Sequence, residues 1–113
     1  MSAPIVLDPL PECGAAAAQL FYERDQPRIV TALARERVLT IVFPPAGTSH
    51  DDWRRAAIRD LARAHAPARI NAVASHDSVA IAAAHAYLET APGITGQFFT
   101  LDPHGAGDPQ ESA

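Results

Sequence analysis

The chain has 113 residues, which is enough for one α/β domain with a single core, and no second domain is expected. Its nine basic residues are all arginine, and with thirteen carboxylates they give a formal charge of -4. This balance argues against a nucleic-acid partner, because phosphate affinity requires clustered positive charge. No apolar run is long enough to cross a bilayer and no basic segment precedes one, so we expect no membrane partner and a cytoplasmic location.

The single cysteine, Cys13, excludes an internal disulfide and is typical of a reducing compartment. We interpret it as a small residue near the start of a helix. The alanine-rich, lysine-free composition suggests a bacterial origin with a GC-rich genome. Aromatic residues make up only 6% of the chain, so the helices are expected to pack closely through small side chains.

Four short apolar runs predict four strands, separated by about thirty residues as in βαβ units. They are Ile5–Leu7, Leu39–Phe43, Ile70–Ala74 and Gln97–Leu101. The second run is continuously apolar, which favours a strand buried on both faces of a parallel sheet. The predicted fold is therefore α/β, a mostly parallel four-stranded sheet in the order βαβαβαβ over residues 1–102, with a flexible tail over 103–113.

Three helical segments lie between these strands. The first, roughly residues 12–37, contains Pro27, which predicts two helices or one bent helix because proline removes a backbone donor. The second begins near residues 48–52, where a cap and two acids suit the positive helix end, and stops at residue 67. The third is predicted for residues 78–90, with Ser78 or Asp77 as its cap.

Two stretches of the second half resemble the short-chain dehydrogenase/reductase family, which has a Rossmann-like fold. A helix ending in residues 61–67, Leu-Ala-Arg-Ala-His-Ala-Pro, leads into residues 69–73, Arg-Ile-Asn-Ala-Val, which is similar to the family's Arg-Val-Asn-Ala-Val strand. Thr-Gly-Gln at residues 95–97, an apolar strand and Asp102 then resemble the family's ending. The resemblance implies the C-terminal half of such a domain, without the half that binds adenosine.

The same resemblance implies an active site whose residues are missing. In the family a Tyr-x-x-x-Lys pair carries proton transfer, whereas this chain has no lysine and its tyrosines are Tyr22 and Tyr87. Residues 37–47 resemble the strand that delivers the family's catalytic serine, and Pro44, or else Phe43, stands at that position. No glycine-rich phosphate loop follows the first strand. We therefore expect no catalytic residue, no bound cofactor and no metal, that is, a pseudoenzyme.

A residual pocket is predicted at the carboxyl ends of two strands, where open α/β sheets place ligands. Its candidate residues lie in two loops: Pro44, His50, Ser75, His76 and Asp77. Consecutive residues cannot aim at one another as a nucleophile, base and orienting group must, so residues 75–77 are interpreted as a polar loop and helix cap. The histidines and acids at residues 50–52 and 76 lack the spacing of a metal site.

Four arginines lie on the second helix, at residues 54, 55, 59 and 63, and the last three repeat at four-residue spacing. Acids at residues 51, 52 and 60 accompany them. This pattern predicts a solvated, partly paired helix face, and the alternative is a docking surface for an acidic partner.

The second helix is also apolar on more than one side, which exceeds what covering one sheet face requires. In the family the corresponding helices and the last strand form subunit interfaces, so the resemblance implies a homodimer or a complex with a full-length reductase. The candidate interface residues are Trp53, Ala57, Ile58, Leu61 and Phe98. We expect a non-catalytic interaction, scaffold or regulatory subunit; the alternatives are a small ligand-binding protein and an oxidoreductase subunit completed by a partner chain.

Overall fold

The computed structural model describes residues 3–101, so the predicted tail at 103–113 lies outside the described residues. Its sheet contains β1 (Ile5–Val6), β2 (Val38–Phe43), β3 (Arg69–Ala74) and β4 (Phe98–Thr100), and their spatial order is their order in the chain. All three neighbouring pairs are parallel. The predicted α/β, Rossmann-like sheet is confirmed. None of the helices within residues 3–101 combines the length and apolar character that crossing a membrane requires.

The helical segments lie where the sequence predicted them. They are α1 (Gly14–Leu20), a π-helical turn (Phe21–Asp25), α2 (Gln26–Leu33), a 3-10 turn (Thr48–His50), α3 (Asp51–Ala64) and α4 (Ser78–Glu89). Pro27 lies in the first turn of α2, directly after the π-helical turn. The first segment is therefore one continuous helical stretch whose hydrogen bonding changes immediately before the proline, which cannot donate a backbone N–H.

The sheet has one thick and one thin covering layer. Alternate residues of β2 and β3 point to opposite faces, and Leu39, Ile41 and Phe43 belong to a large core that includes side chains of the π-helical turn, α2 and α3. The opposite face has a small core of Val42, Val73 and Leu88, covered by α4. Successive strands lie side by side in one direction across the sheet. The crossovers that lead to β2 and β3 pass over one face and the crossover through α4 passes over the other, so this last crossover has the opposite hand. At least one crossover thus departs from the right-handed rule, which about 98% of cases follow.

The start of β3 is tied to the end of α4 by one arginine. The Arg69 guanidinium donates through Nη1 to the carbonyls of Leu88 and Ala91, at 3.0 and 2.8 Å, and through Nη2 to that of Glu89 at 3.2 Å. These carbonyls lie at the negative end of the helix, where a cation is favourable.

The loop that follows α4 is held by the next residues of β3. Asn71 donates through Nδ2 to the Ile94 carbonyl at 3.0 Å and accepts at Oδ1 from the Gln97 backbone N–H at 3.1 Å. Gly96 has a φ of +74°, and a Cβ there would lie 3.3 Å from that of Ala62, so both conformation and space favour glycine. The Arg-Ile-Asn and Thr-Gly-Gln stretches are therefore contact partners, which explains why they occur together.

Candidate functional site

A cleft of about 470 Å³ lies at the carboxyl ends of β1 and β2. Its walls come from the β1–α1 connection, the β2–α3 connection and the first turn of α3. They include Pro9, Pro11, Pro44, Pro45, His50 and Arg54. The cleft occupies the edge at which open parallel sheets place their ligands.

Of the five predicted pocket residues, Pro44 and His50 line this cleft. The other three serve the β3–α4 connection. The Ser75 hydroxyl accepts a hydrogen bond from the Asp77 backbone N–H at 2.9 Å, and the Asp77 carboxylate accepts from the N–H groups of Val79 and Ala80. His76 is exposed. The two loops begin side by side, since the Ser75 backbone N–H donates to the Phe43 carbonyl at 3.3 Å, but only the first loop lines the cleft, and Asp77 is the cap of α4.

His50 is buried and both of its ring nitrogens are occupied. The Trp53 indole N–H donates to Nδ1 at 3.1 Å, and Nε2 lies 2.7 Å from the Glu12 carbonyl oxygen. Because an indole nitrogen only donates, Nδ1 must accept, which assigns the proton to Nε2 and the donor role toward the carbonyl. His50 thus fastens the β1–α1 connection to α3 through both of its ring nitrogens.

Arg54 is the functional candidate that the sequence interpretation placed in the wrong environment. Its side chain is only 2% exposed, although a solvated basic face was predicted. Its guanidinium carbon lies 4.6 Å from the centre of the Phe43 ring and 5.8 Å from that of Trp53. A signal for this burial existed, because Arg54 precedes Ala57, Ile58 and Leu61 at the i+3, i+4 and i+7 spacing of an apolar helix face.

The five predicted interface residues belong to the interior of the chain. Ala57, Ile58, Leu61 and Phe98 are buried in the large core, and Trp53 packs against it. This corrects the prediction of an apolar interface on α3. The apolar residues of α3 are buried on more than one side of the helix, because α1, β3 and β4 of the same chain pack against it.

Exposed apolar surface lies instead on the opposite face, in a groove between α4 and β4. This α4–β4 groove has a volume of about 400 Å³ and is lined by Ala80, Ala83, Tyr87, Leu88, Phe99 and Leu101, among others. Tyr87 is 62% exposed, and Val79 on the same helix is 76% exposed. Phe99 in β4 is 37% exposed, so large apolar side chains of both elements face the solvent on this side of the sheet.

The two tyrosines lie apart from the cleft. Partial burial raises the pKa of Tyr22, and the charge of Asp60 raises it further, which is the opposite of what a proton-donating phenol requires. Tyr87 belongs to the α4–β4 groove on the other face. Among residues 3–101, no three side chains of the histidine, cysteine, aspartate and glutamate types come close enough together to hold a metal ion.

Comparison with known proteins agrees with this architecture. Residues 5–101 match the model of the family described as short chain dehydrogenase-like protein. The chain belongs to this short chain dehydrogenase-like family. Neither a curated protein nor a solved structure matches it.

The residues of this family member do not fit a dinucleotide cofactor at the cleft. A pyrophosphate is held by successive backbone N–H groups of a glycine-rich turn. Here Pro9 and Pro11 occupy the connection after β1, and proline has no N–H to donate. At the end of β2, Phe43 is one of the two residues that stand at the position of the family's catalytic serine, and its side chain is buried in the core.

Proposed function

We propose that this family member is a non-catalytic interaction or scaffold subunit that forms a homodimer through the α4–β4 groove. The observation that carries the proposal is the exposed apolar surface formed by Tyr87, Phe99 and their neighbours, on a helix that covers only a thin core. A surface of this kind is stabilised when a second molecule removes it from water.

The absence of the family's proton-transfer residues supports a non-catalytic role. The chain contains no lysine to lower the pKa of a catalytic tyrosine, and the pKa of Tyr22 is raised. Neither tyrosine is among the residues that line the cleft. Proton transfer by the family's Tyr-x-x-x-Lys pair therefore has no residues to perform it.

Three features favour a second copy of the chain as the occupant of the groove. The lining residues carry no formal charge, so two copies, each with a net charge of -4, can meet there without repulsion between like charges at the contact. Ala83 and Ala86 are exposed on α4, and small residues let two helices approach closely. Within the described residues β4 pairs only with β3, so its outer edge is open to a further strand or helix.

The oligomeric state in solution tests the proposal. Light scattering after gel filtration is expected to give the mass of a dimer for the wild type and of a monomer for Tyr87→Glu, because the new charge would be buried at the contact. Val30→Glu is the matched control, since Val30 is an exposed apolar residue on α2, away from the groove, and this variant should remain dimeric. A monomeric wild type, or a dimeric Tyr87→Glu variant, contradicts the proposal.

A reductase subunit completed by another chain is the alternative that the family membership favours. It predicts that a full-length reductase is recovered in stoichiometric amount with the tagged wild type from its native host. Recovery that is lost with Tyr87→Glu and retained with Val30→Glu would assign the groove to that partner instead of a second copy. A small ligand-binding role is favoured by a different feature, the environment of Arg54 in the cleft.

A further inference from the structure

Arg54 is a buried cation that makes no ion-pair contact within the described part of the chain. Its Nε is buried and has no hydrogen-bond partner. Within residues 3–101 the arginine that pairs with a carboxylate is Arg24, with Asp25, and Arg54 has no such contact. Burying a charge is costly unless it is paired and hydrogen-bonded.

The aromatic contacts of Arg54 use only part of its binding capacity. Phe43 and Trp53 contact the guanidinium through cation–π interactions, which do not use the N–H groups at its edge. Burial lowers the pKa of Arg54, and the nearby charge of Asp51 offsets this in part. An arginine nevertheless keeps its proton in proteins, so the side chain remains a cation with a planar set of donors.

The surroundings of Arg54 in the cleft are mostly uncharged. Gly47 and Ser49 also line it, and they lie at the 3-10 turn that leads into α3, where neither the turn nor α3 has a side-chain cap hydrogen bond. Asp51 and Asp52 in the first turn of α3 already complement the positive end of that helix, so the anion-binding group of the cleft is the Arg54 side chain. The remaining walls are largely proline, with Leu10 and Ala46, and are apolar. Glu12 is the carboxylate residue of the lining, and its backbone carbonyl, not its side chain, is bound by His50.

We propose that this cleft binds a small organic anion, with its carboxylate or phosphate oxygens paired to the Arg54 guanidinium and its apolar body against the prolines. A planar guanidinium matches either oxyanion through two parallel hydrogen bonds. The site differs from a dinucleotide site, because its anion is held by a side chain of α3 and not by a glycine-rich turn. It also lies on the face opposite the α4–β4 groove, so its test does not depend on the oligomeric state.

Thermal unfolding and calorimetric titration with simple probes test the site, at constant ionic strength set with sodium chloride. The probes are benzoate, phenyl phosphate, inorganic phosphate and neutral benzamide. At about ten times the dissociation constant, the preferred anion should raise the wild-type Tm by about 5 °C or more, whereas benzamide should not. A preference for benzoate or phenyl phosphate identifies the head group, and phosphate alone would show an inorganic ligand.

Substitutions on α3 assign the effect to one arginine. Arg54→Met should weaken anion binding at least about tenfold, and without ligand its Tm should equal or exceed that of the wild type, because an unpaired buried charge is removed. Arg54→Lys keeps the charge but loses the planar donor set and should bind with intermediate affinity. Arg59→Met removes an exposed charge from the same helix and should bind as the wild type does.

Two results would overturn the proposal. One is a wild type whose Tm and Trp53 indole N–H resonance are unchanged by every anion; Trp53 is the only tryptophan and borders Arg54, so this readout needs no variant. The other is a Tm increase of equal size in the wild type, Arg54→Met and Arg59→Met, which would show a general salt effect and not a site.

Discussion

Two arginines show how strongly local surroundings decide the role of one side-chain type. Arg69 donates three hydrogen bonds to carbonyls around the end of α4, so its charge is satisfied by the backbone. Arg54 packs its guanidinium on aromatic rings and leaves Nε without a partner. From the sequence both are arginines beside apolar residues. Only the packing shows that Arg69 is hydrogen-bonded to backbone carbonyls, whereas the buried Nε of Arg54 has no partner.

Replacing Arg69 by methionine is expected to destabilise the protein by about 2 kcal/mol or more, since charge-assisted hydrogen bonds are lost and partly buried carbonyls remain. Urea unfolding followed by circular dichroism measures the difference. Arg59→Met is the control and should lie within about 0.5 kcal/mol of the wild type, because Arg59 is exposed on α3. Equal stability of the two variants would show that the contacts of Arg69 contribute nothing.

Cys13 supplies a pH-dependent test of a helix start. It is the exposed N-cap residue of α1, and its side chain forms no capping hydrogen bond. The nearby backbone N–H groups of Ala16 and then Ala15 nevertheless lower the pKa of its thiol. The amides therefore act through their partial positive charge, which favours the thiolate. Alkylation by iodoacetamide should reach half of its maximal rate at a lower pH in the folded protein than in the urea-unfolded chain. An equal or higher midpoint would contradict this.

Among the helices and strands, positions were predictable where a residue type has a fixed structural consequence. Proline bounded α3 and marked the change before α2, and Asp77 preceded α4 as a cap. The π-helical turn at residues 21–25 was not predictable, because a wider turn has no characteristic composition. The burial of Arg54 was not predicted, because the arginines at residues 54, 55, 59 and 63 together indicated a solvated helix face.

The cap of α4 is expected to make a measurable contribution to stability. Asp77→Ala removes an acceptor for the N–H groups of Val79 and Ala80 and should cost about 1 kcal/mol of unfolding free energy. Ser78→Ala is the control, because Asp77 is the cap and Ser78 is the first helical residue. If both variants lose the same stability, the helix start is not fixed by the aspartate.

For the whole molecule, the sequence predicted a mostly parallel sheet of four strands but not which surfaces stay uncovered. Apolar periodicity reports that a face is buried, and it does not report by what. The interface predicted on α3 is filled by the chain's own core, whereas the groove beside α4 arises because a single helix covers that side of the sheet. The cleft combines the β1–α1 connection with the β2–α3 connection and the first turn of α3, which are distant from it in sequence, so its lining could be known only from the fold.

The unequal covering of the two sheet faces predicts unequal local stability. On the α4 side the fully buried core is Val42, Val73 and Leu88, supplemented by a 2.8 Å hydrogen bond between His85 Nδ1 and Thr40 Oγ1. Backbone amides of α4 should therefore exchange with deuterium at least about tenfold faster than those of α3 when the protein is dilute, since opening α4 exposes less apolar surface.

Concentration separates this local property from dimerisation. If a second copy covers the α4–β4 groove, raising the protein concentration should slow exchange in α4 and β4 and leave α3 unchanged, because binding stabilises only the closed form at that face. The Tyr87→Glu variant should show fast exchange in α4 at every concentration, whereas Val30→Glu should follow the wild type. Uniform exchange across α3 and α4 in dilute protein would contradict the predicted difference, and slowing that appears equally in both helices would place the contact elsewhere.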